Sequence, residues 1–183
     1  DGKPHVLSIS GPTNCNADSL ISLASRVVHM NSVYWGGLPY KRYVFILHAM
    51  ADPSGATEHV NSCVIDFGSS RLRTPEPCHN LLGSFSHEFF HTWNVKQFRP
   101  KGIDTYDWTR ENYSRELWLV EGGTSYLHGL LLARNGLTSA SACFTTTNVA
   151  PHTRVLNISA SSARNAFTGR PRERQAYDRA GAA

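Results

Sequence analysis

The chain has 183 residues, 40% of them apolar, which suits one domain with a real core and gives no sign of disorder across its middle. Its formal charge of +4 does not mark a basic surface: residues 1–150 hold 12 Lys and Arg against 12 Asp and Glu, and residues 151–183 hold six Arg against two acids, which reads as a solvated tail, so no nucleic-acid partner is expected. No apolar run reaches the roughly 18 residues that a membrane span needs, and Cys15, Cys63, Cys78 and Cys143 form neither a C-x-x-C pair nor a tight framework, so most of them read as buried thiols.

Asp18 or Ser19 is placed to cap a first helix, whose apolar positions Leu20, Leu23, Val27, Met30 and Val33 hold a stripe up to a stop at Gly36-Gly37. Tyr43 to Leu47 reads as a buried strand, followed by a loop carrying Glu58 and a second strand near Val60 to Ile65. Arg71 to Cys78, with Pro75 and Pro77, reads as a loop. A helix is predicted from Asn80 to about Asn94, with Leu81, Leu82, Phe85 and Phe89 turned inward, and Pro100 bars much extension. Residues 99–114 read as an irregular crossing. The last predicted helix runs from Arg115 to Arg134 on a stripe of Leu117, Val120, Leu127, Leu130 and Leu131, and ends at Asn135-Gly136, a pair suited to a left-handed cap. Gly122-Gly123 weakens that helix by roughly 1–2 kcal/mol relative to alanines. One domain over 1–170 and a frayed basic tail over 171–183 are expected.

The chemistry is concentrated in His87-Glu88-Phe89-Phe90-His91. On a helix, residues i and i+4 sit one above the other, so His87 and His91 can offer ring nitrogens to one zinc ion at about 2.0–2.1 Å. Glu88, one residue further round, lies beside the metal, where it can take a proton from an attacking water. A catalytic zinc has three protein ligands, so a third should follow on another segment. Glu121 lies next to the apolar stripe of the last helix, where a carboxylate is costly to desolvate unless a cation compensates it. The plainer reading of Glu121 is a solvated helix residue like Glu116.

The stretches HEFFHTWNVKQFRP (87–100) and ENYSRELWLVEGGTSYL (111–127) resemble the catalytic signature of the glycyl aminopeptidases, metallopeptidase family 61 of the gluzincin clan. That resemblance implies an α+β, thermolysin-like zincin catalytic domain with an N-terminal strand-containing part and two metal-bearing helices. It implies one Zn2+ held by His87, His91 and Glu121, with Glu88 as the catalytic base, and Thr124 or Ser125 as possible supports of the ligands. Gly55-Ala56-Thr57-Glu58-His59-Val60-Asn61-Ser62 is similar to the family's loop for a substrate's free amino terminus, which makes Glu58 the candidate anchor. The implied substrate is a peptide with a free N-terminus, from which small residues, Gly or Ala, are released.

Position 123 departs from the family, which has a bulky residue there. The family also carries a β-rich domain before this region and helices, often with a PDZ domain, after it. The chain opens at Asp1 rather than Met and therefore reads as a fragment of a catalytic domain, with flanking domains missing and any targeting segment lost. An oxyanion-stabilising Tyr or His is expected further downstream, and Tyr177 is not claimed for it. Two alternatives stay open: a catalytically silent zinc- or peptide-binding fragment, and a zinc endopeptidase. The compartment is not legible.

Overall fold

Strand β2 (Tyr43–Met50) alternates strictly, with Tyr43, Phe45, Leu47 and Ala49 buried on one face, and it organises the rest of a computed structural model of the chain. The structure describes residues 2–13, 15–51, 55–68 and 77–141, with the backbone alone for 77–80. These residues lie in a compact unit running from Asp1 to Val149. The arginine-rich end, Tyr177 and Cys143 fall outside the described residues, as does the side chain of Cys78.

Strand β1 (His5–Ser10) pairs in parallel with β2, and helix α1 (Ala17–Trp35) makes the crossover between them. Strand β4 (Ser62–Gly68) lies parallel on the other side of β2, and β3 (Gly55–Glu58) closes that edge antiparallel to β4, giving the order β1-β2-β4-β3. The register sets Phe45 beside Cys63, Leu47 beside Ile65 and Ala49 beside Phe67, so the buried residues of both strands share a face. Helix α2 (Pro77–Phe90) packs there: Phe85 meets Phe45 edge-on at 5.3 Å, and Phe89 meets Tyr43 at 4.9 Å between ring centroids. Trp35, at the end of α1, stacks on Trp93 at 5.6 Å and ties the two helices together just beyond α2. A π-helical turn (Trp118–Gly122) then leads into α3 (Gly123–Arg134).

Several predicted elements shift. The first helix is capped by Asn16, whose side chain accepts from the Ser19 amide at 3.0 Å, rather than by Asp18 or Ser19. Its stop at Gly36 is as expected, with φ of 77°. Val33 is 70% exposed and Leu117 57% exposed, so neither belongs to a core stripe. Strand β1 was not anticipated, and Glu58 ends a strand rather than lying in a loop. Helix α2 begins at Pro77, inside the predicted loop, where a first-turn proline costs no hydrogen bond. Residues 99–114 are irregular, as predicted. The last helix starts not at Arg115 but with the π turn at Trp118, and its left-handed cap lies at Gly136, with φ of 64°. Cys63 is buried, whereas Cys15 is partly exposed. The architecture is a mixed α+β one, and among the described residues no helix is long and apolar enough to cross a membrane.

Candidate metal centre

His87 sits in the last turn of α2 and His91 one residue beyond it, yet the His91 amide still donates to the His87 carbonyl at 3.3 Å, so the four-residue spacing keeps its helical geometry. The two rings stand edge to face with centroids 4.7 Å apart. Glu121 reaches them not from an α-helix, as expected, but from the π turn. His87 Nε2 and Glu121 Oε2 are 3.3 Å apart, His91 Nε2 and Glu121 Oε2 3.5 Å, and the two Nε2 atoms 3.1 Å.

That triangle can be tested against a metal. Three ligands at about 2.0–2.1 Å in a tetrahedral set lie about 3.3 Å from one another, and the three distances scatter around this value. As direct hydrogen bonds the two contacts to Glu121 are long, and the Nε2 to Nε2 approach is unfavourable unless a proton or a cation lies between the groups. The tautomer sharpens the point. His91 Nδ1 lies 2.7 Å from the Asn94 carbonyl, which can only accept, so Nδ1 carries the proton and a neutral ring directs the Nε2 lone pair into the triangle. The donor set and its spacing therefore fit one metal ion. Without a cation, hydrogen bonds from His87 and then His91 hold the Glu121 carboxyl well below the usual range. Burial is the largest influence on His91 and lowers it, but Glu121 and the Asn94 carbonyl, with Glu58, hold the ring above its ordinary value.

Asn94 braces the site from both its ends. Its side-chain amide donates to the carbonyls of Leu119 and Val120 at 3.2 and 3.3 Å and to Thr124 Oγ1 at 3.0 Å, fastening the π turn to the end of α2. Of the two expected supports, Thr124 lies against His91, with Oγ1 3.5 Å from Nδ1. The His128 ring stands edge-on to His87 at 5.2 Å, and desolvation, followed by the His87 and His91 charges, pushes it down to about 3, which keeps it neutral.

Glu88 is 7% exposed, and burial raises its carboxyl above the ordinary range, with His87 and His91 opposing. A carboxylate oxygen from each of Glu88 and Glu58 and a ring nitrogen of His91 lie within 4.8 Å of one another, so strand β3 delivers Glu58 to the same centre. Glu58 already has a partner: Lys96 Nζ lies 2.9 Å from its Oε1, with 12% and 23% of the two side chains exposed. Burial would raise Glu58, but the Lys96 hydrogen bond, then its own backbone amide and the Lys96 charge, hold it below the ordinary value. Neither Lys96 nor the bracing role of Asn94 was anticipated. Both lie in the WNVKQF stretch after the histidines, where a lysine and an asparagine carry no spacing signal of their own.

Residues 80–169 match the family model described as M61 glycyl aminopeptidase. Among solved structures, the chain is similar to the crystal structure of an aminopeptidase N family protein from Idiomarina loihiensis, with a TM-score of 0.70 and 25% identity over 76% of this chain and 25% of that one. The chain thus spans about a quarter of that protein's length. A comparison with curated proteins gives no match. His87, Glu88, His91 and Glu121 all lie in the matched stretch, so it is through its candidate metal centre that the chain is similar to the M61 glycyl aminopeptidases.

Proposed function

We propose that this chain is catalytic-domain sequence of a zinc aminopeptidase of the gluzincin type, releasing small N-terminal residues, Gly or Ala, from peptides. The observation that carries the reading is the triangle of His87, His91 and Glu121 ligand atoms, 3.1 to 3.5 Å apart, with the buried Glu88 alongside. His87, His91 and Glu121 would hold one Zn2+, which when bound supplies Lewis acidity towards water and the scissile carbonyl. Glu88 takes the proton of the attacking water and returns it to the leaving amine nitrogen, and burial that raises its carboxyl suits it to both tasks. Asn94 and Thr124 keep His91 in one tautomer and one orientation. Glu58, which Lys96 holds at 2.9 Å beside the same centre, is the candidate partner for the substrate's α-ammonium group.

An endopeptidase with the same chemistry is the second reading, favoured by one observation: Lys96 already pairs with Glu58, so a free amine is not required to satisfy that carboxylate. A silent domain is disfavoured by Glu88, since a binding module needs no base beside its metal. The deciding experiment is zinc-dependent hydrolysis of glycyl and alanyl aryl amides, with free and acetylated amino termini, by the wild type and by Glu88→Gln. Turnover of the free form that falls by about 10²–10⁴ in Glu88→Gln, with the metal retained, supports the peptidase. A folded, zinc-loaded chain without turnover favours the silent domain.

A further inference from the structure

A carboxylate selects a free amino terminus because a blocked one leaves a desolvated anion without a partner. Glu58 does not meet that condition. Its Oε1 lies 2.9 Å from Lys96 Nζ, and both side chains are largely withdrawn from solvent, so salt screens the pair little. Lys96 is also held close to the centre, because its amide donates to the carbonyl of His91 at 3.1 Å and so belongs to the turn that carries the second histidine. From there its ammonium reaches across to strand β3 and meets the carboxylate that lies within 4.8 Å of Glu88 and His91. An ammonium of the chain itself thus already holds one oxygen of the carboxylate that an α-ammonium would use.

We propose that Lys96 determines specificity: by occupying Glu58 it removes the penalty on a blocked amino terminus, so that the chain discriminates only weakly between free and acylated substrates. The inference rests on Glu58 as the amino-terminal anchor of the aminopeptidase reading. A substrate's α-ammonium must displace Lys96 or share the carboxylate with it, and either diminishes the gain from binding a free amine. An internal peptide segment leaves the Lys96–Glu58 pair undisturbed and loses nothing.

The test is calorimetric titration of the full chain, in the presence of Zn2+, with glycinamide and with N-acetylglycinamide. In the wild type the two ligands should differ by less than about 10-fold in Kd. In Lys96→Met, which keeps the aliphatic stem, the preference for glycinamide should rise by about 10-fold or more, because a charge-assisted contact is gained. The gain should vanish in the double variant Glu58→Gln, Lys96→Met. Lys96→Gln should behave as Lys96→Met does, which guards against one poorly folded variant. A preference that stays the same or falls when Lys96 is removed overturns the proposal and makes Lys96 the residue that holds Glu58 in place. Binding needs no turnover, so the proposal can fail while hydrolysis persists, and the peptidase reading can fail while this binding pattern holds.

Discussion

Asn94 commits its backbone carbonyl to His91 Nδ1 and its side-chain amide to three acceptors across the gap, Leu119 O, Val120 O and Thr124 Oγ1, so one buried residue sets both the tautomer of His91 and the place of the turn bearing Glu121. Asn94→Ala leaves the carbonyl in place but strips the three acceptors, at a cost of about 1–3 kcal/mol. Metal affinity should fall by about 10–100-fold, as for other partners that orient ligands. Urea unfolding and competition with a chromophoric chelator would read the two effects, and unchanged metal affinity would sink the bracing role. The Glu58–Lys96 pair gives a second expectation, on stability against pH. The folded-state pKa of Glu58 lies below its ordinary value, so its contribution is fully present above the ordinary carboxylate range and is lost as pH falls through the depressed folded value. Lys96→Met should therefore cost about 1–2 kcal/mol at neutral pH, moderated by the partial exposure of the pair. Unfolding curves of the two proteins should draw together as pH falls through the depressed folded value of Glu58. A difference that is constant with pH would mean the loss is one of packing alone.

The π turn is the element on which the centre depends most, because it alone carries Glu121 to the histidines. Its wider winding moves a side chain off the face an α-helix would give it, a device common at functional sites. Gly122 has helical φ of −66° and ψ of −41°, with nothing within 4 Å of where a Cβ would stand. Gly122→Ala should therefore stabilise the chain by about 0.5–1 kcal/mol in thermal or urea unfolding and leave metal affinity unchanged. Weaker metal binding would show instead that the glycine is needed to open the turn. The same element marks the limit of what sequence can tell. Apolar periodicity revealed α1, β2 and the inward face of α2, and the four-residue spacing singled out His87, Glu88 and His91 as candidates. Periodicity predicts an α-helix through Leu117, since nothing in WLVEG distinguishes i+5 winding from i+4. Strand β1 was missed because its outward residues give little alternation and its pairing with β2 is set by a partner 38 residues away. Strand β3 reads as a loop because Gly55-Ala56-Thr57-Glu58 is short and mostly exposed at the sheet edge. Lys96 and Asn94 were illegible for a related reason: each acts on a residue that only the folded chain brings near.

The centre is assembled from three separate parts of the chain: the sheet edge with Glu58, the end of α2 with its following turn, and the π turn before α3. Burial of Phe85 and Phe89 against the sheet fixes where α2 lies, and the Trp35–Trp93 stack fixes where it ends, so the histidines are positioned by the core rather than by a local loop. Three carboxylates, Glu58, Glu88 and Glu121, converge there, and Lys96 answers only Glu58 by direct contact. His87 and His91 answer Glu121, while burial opposes the charge of Glu88, a cost that a bound cation would relieve and that would couple metal binding to stability. Zn2+ at 100 times its Kd should stabilise the chain by about 2.7 kcal/mol. For a chain of this size that raises Tm by about 5–10 °C, and a chelator should reverse it. Glu88→Gln should keep the shift, because Glu88 is not a proposed ligand, whereas His91→Ala and Glu121→Gln should lose most of it. Differential scanning calorimetry with and without Zn2+ would measure all four proteins. An equal shift in His91→Ala would place the metal elsewhere and remove the basis for the zinc chemistry, while a shift lost in Glu88→Gln would move that carboxylate from the role of base to that of ligand.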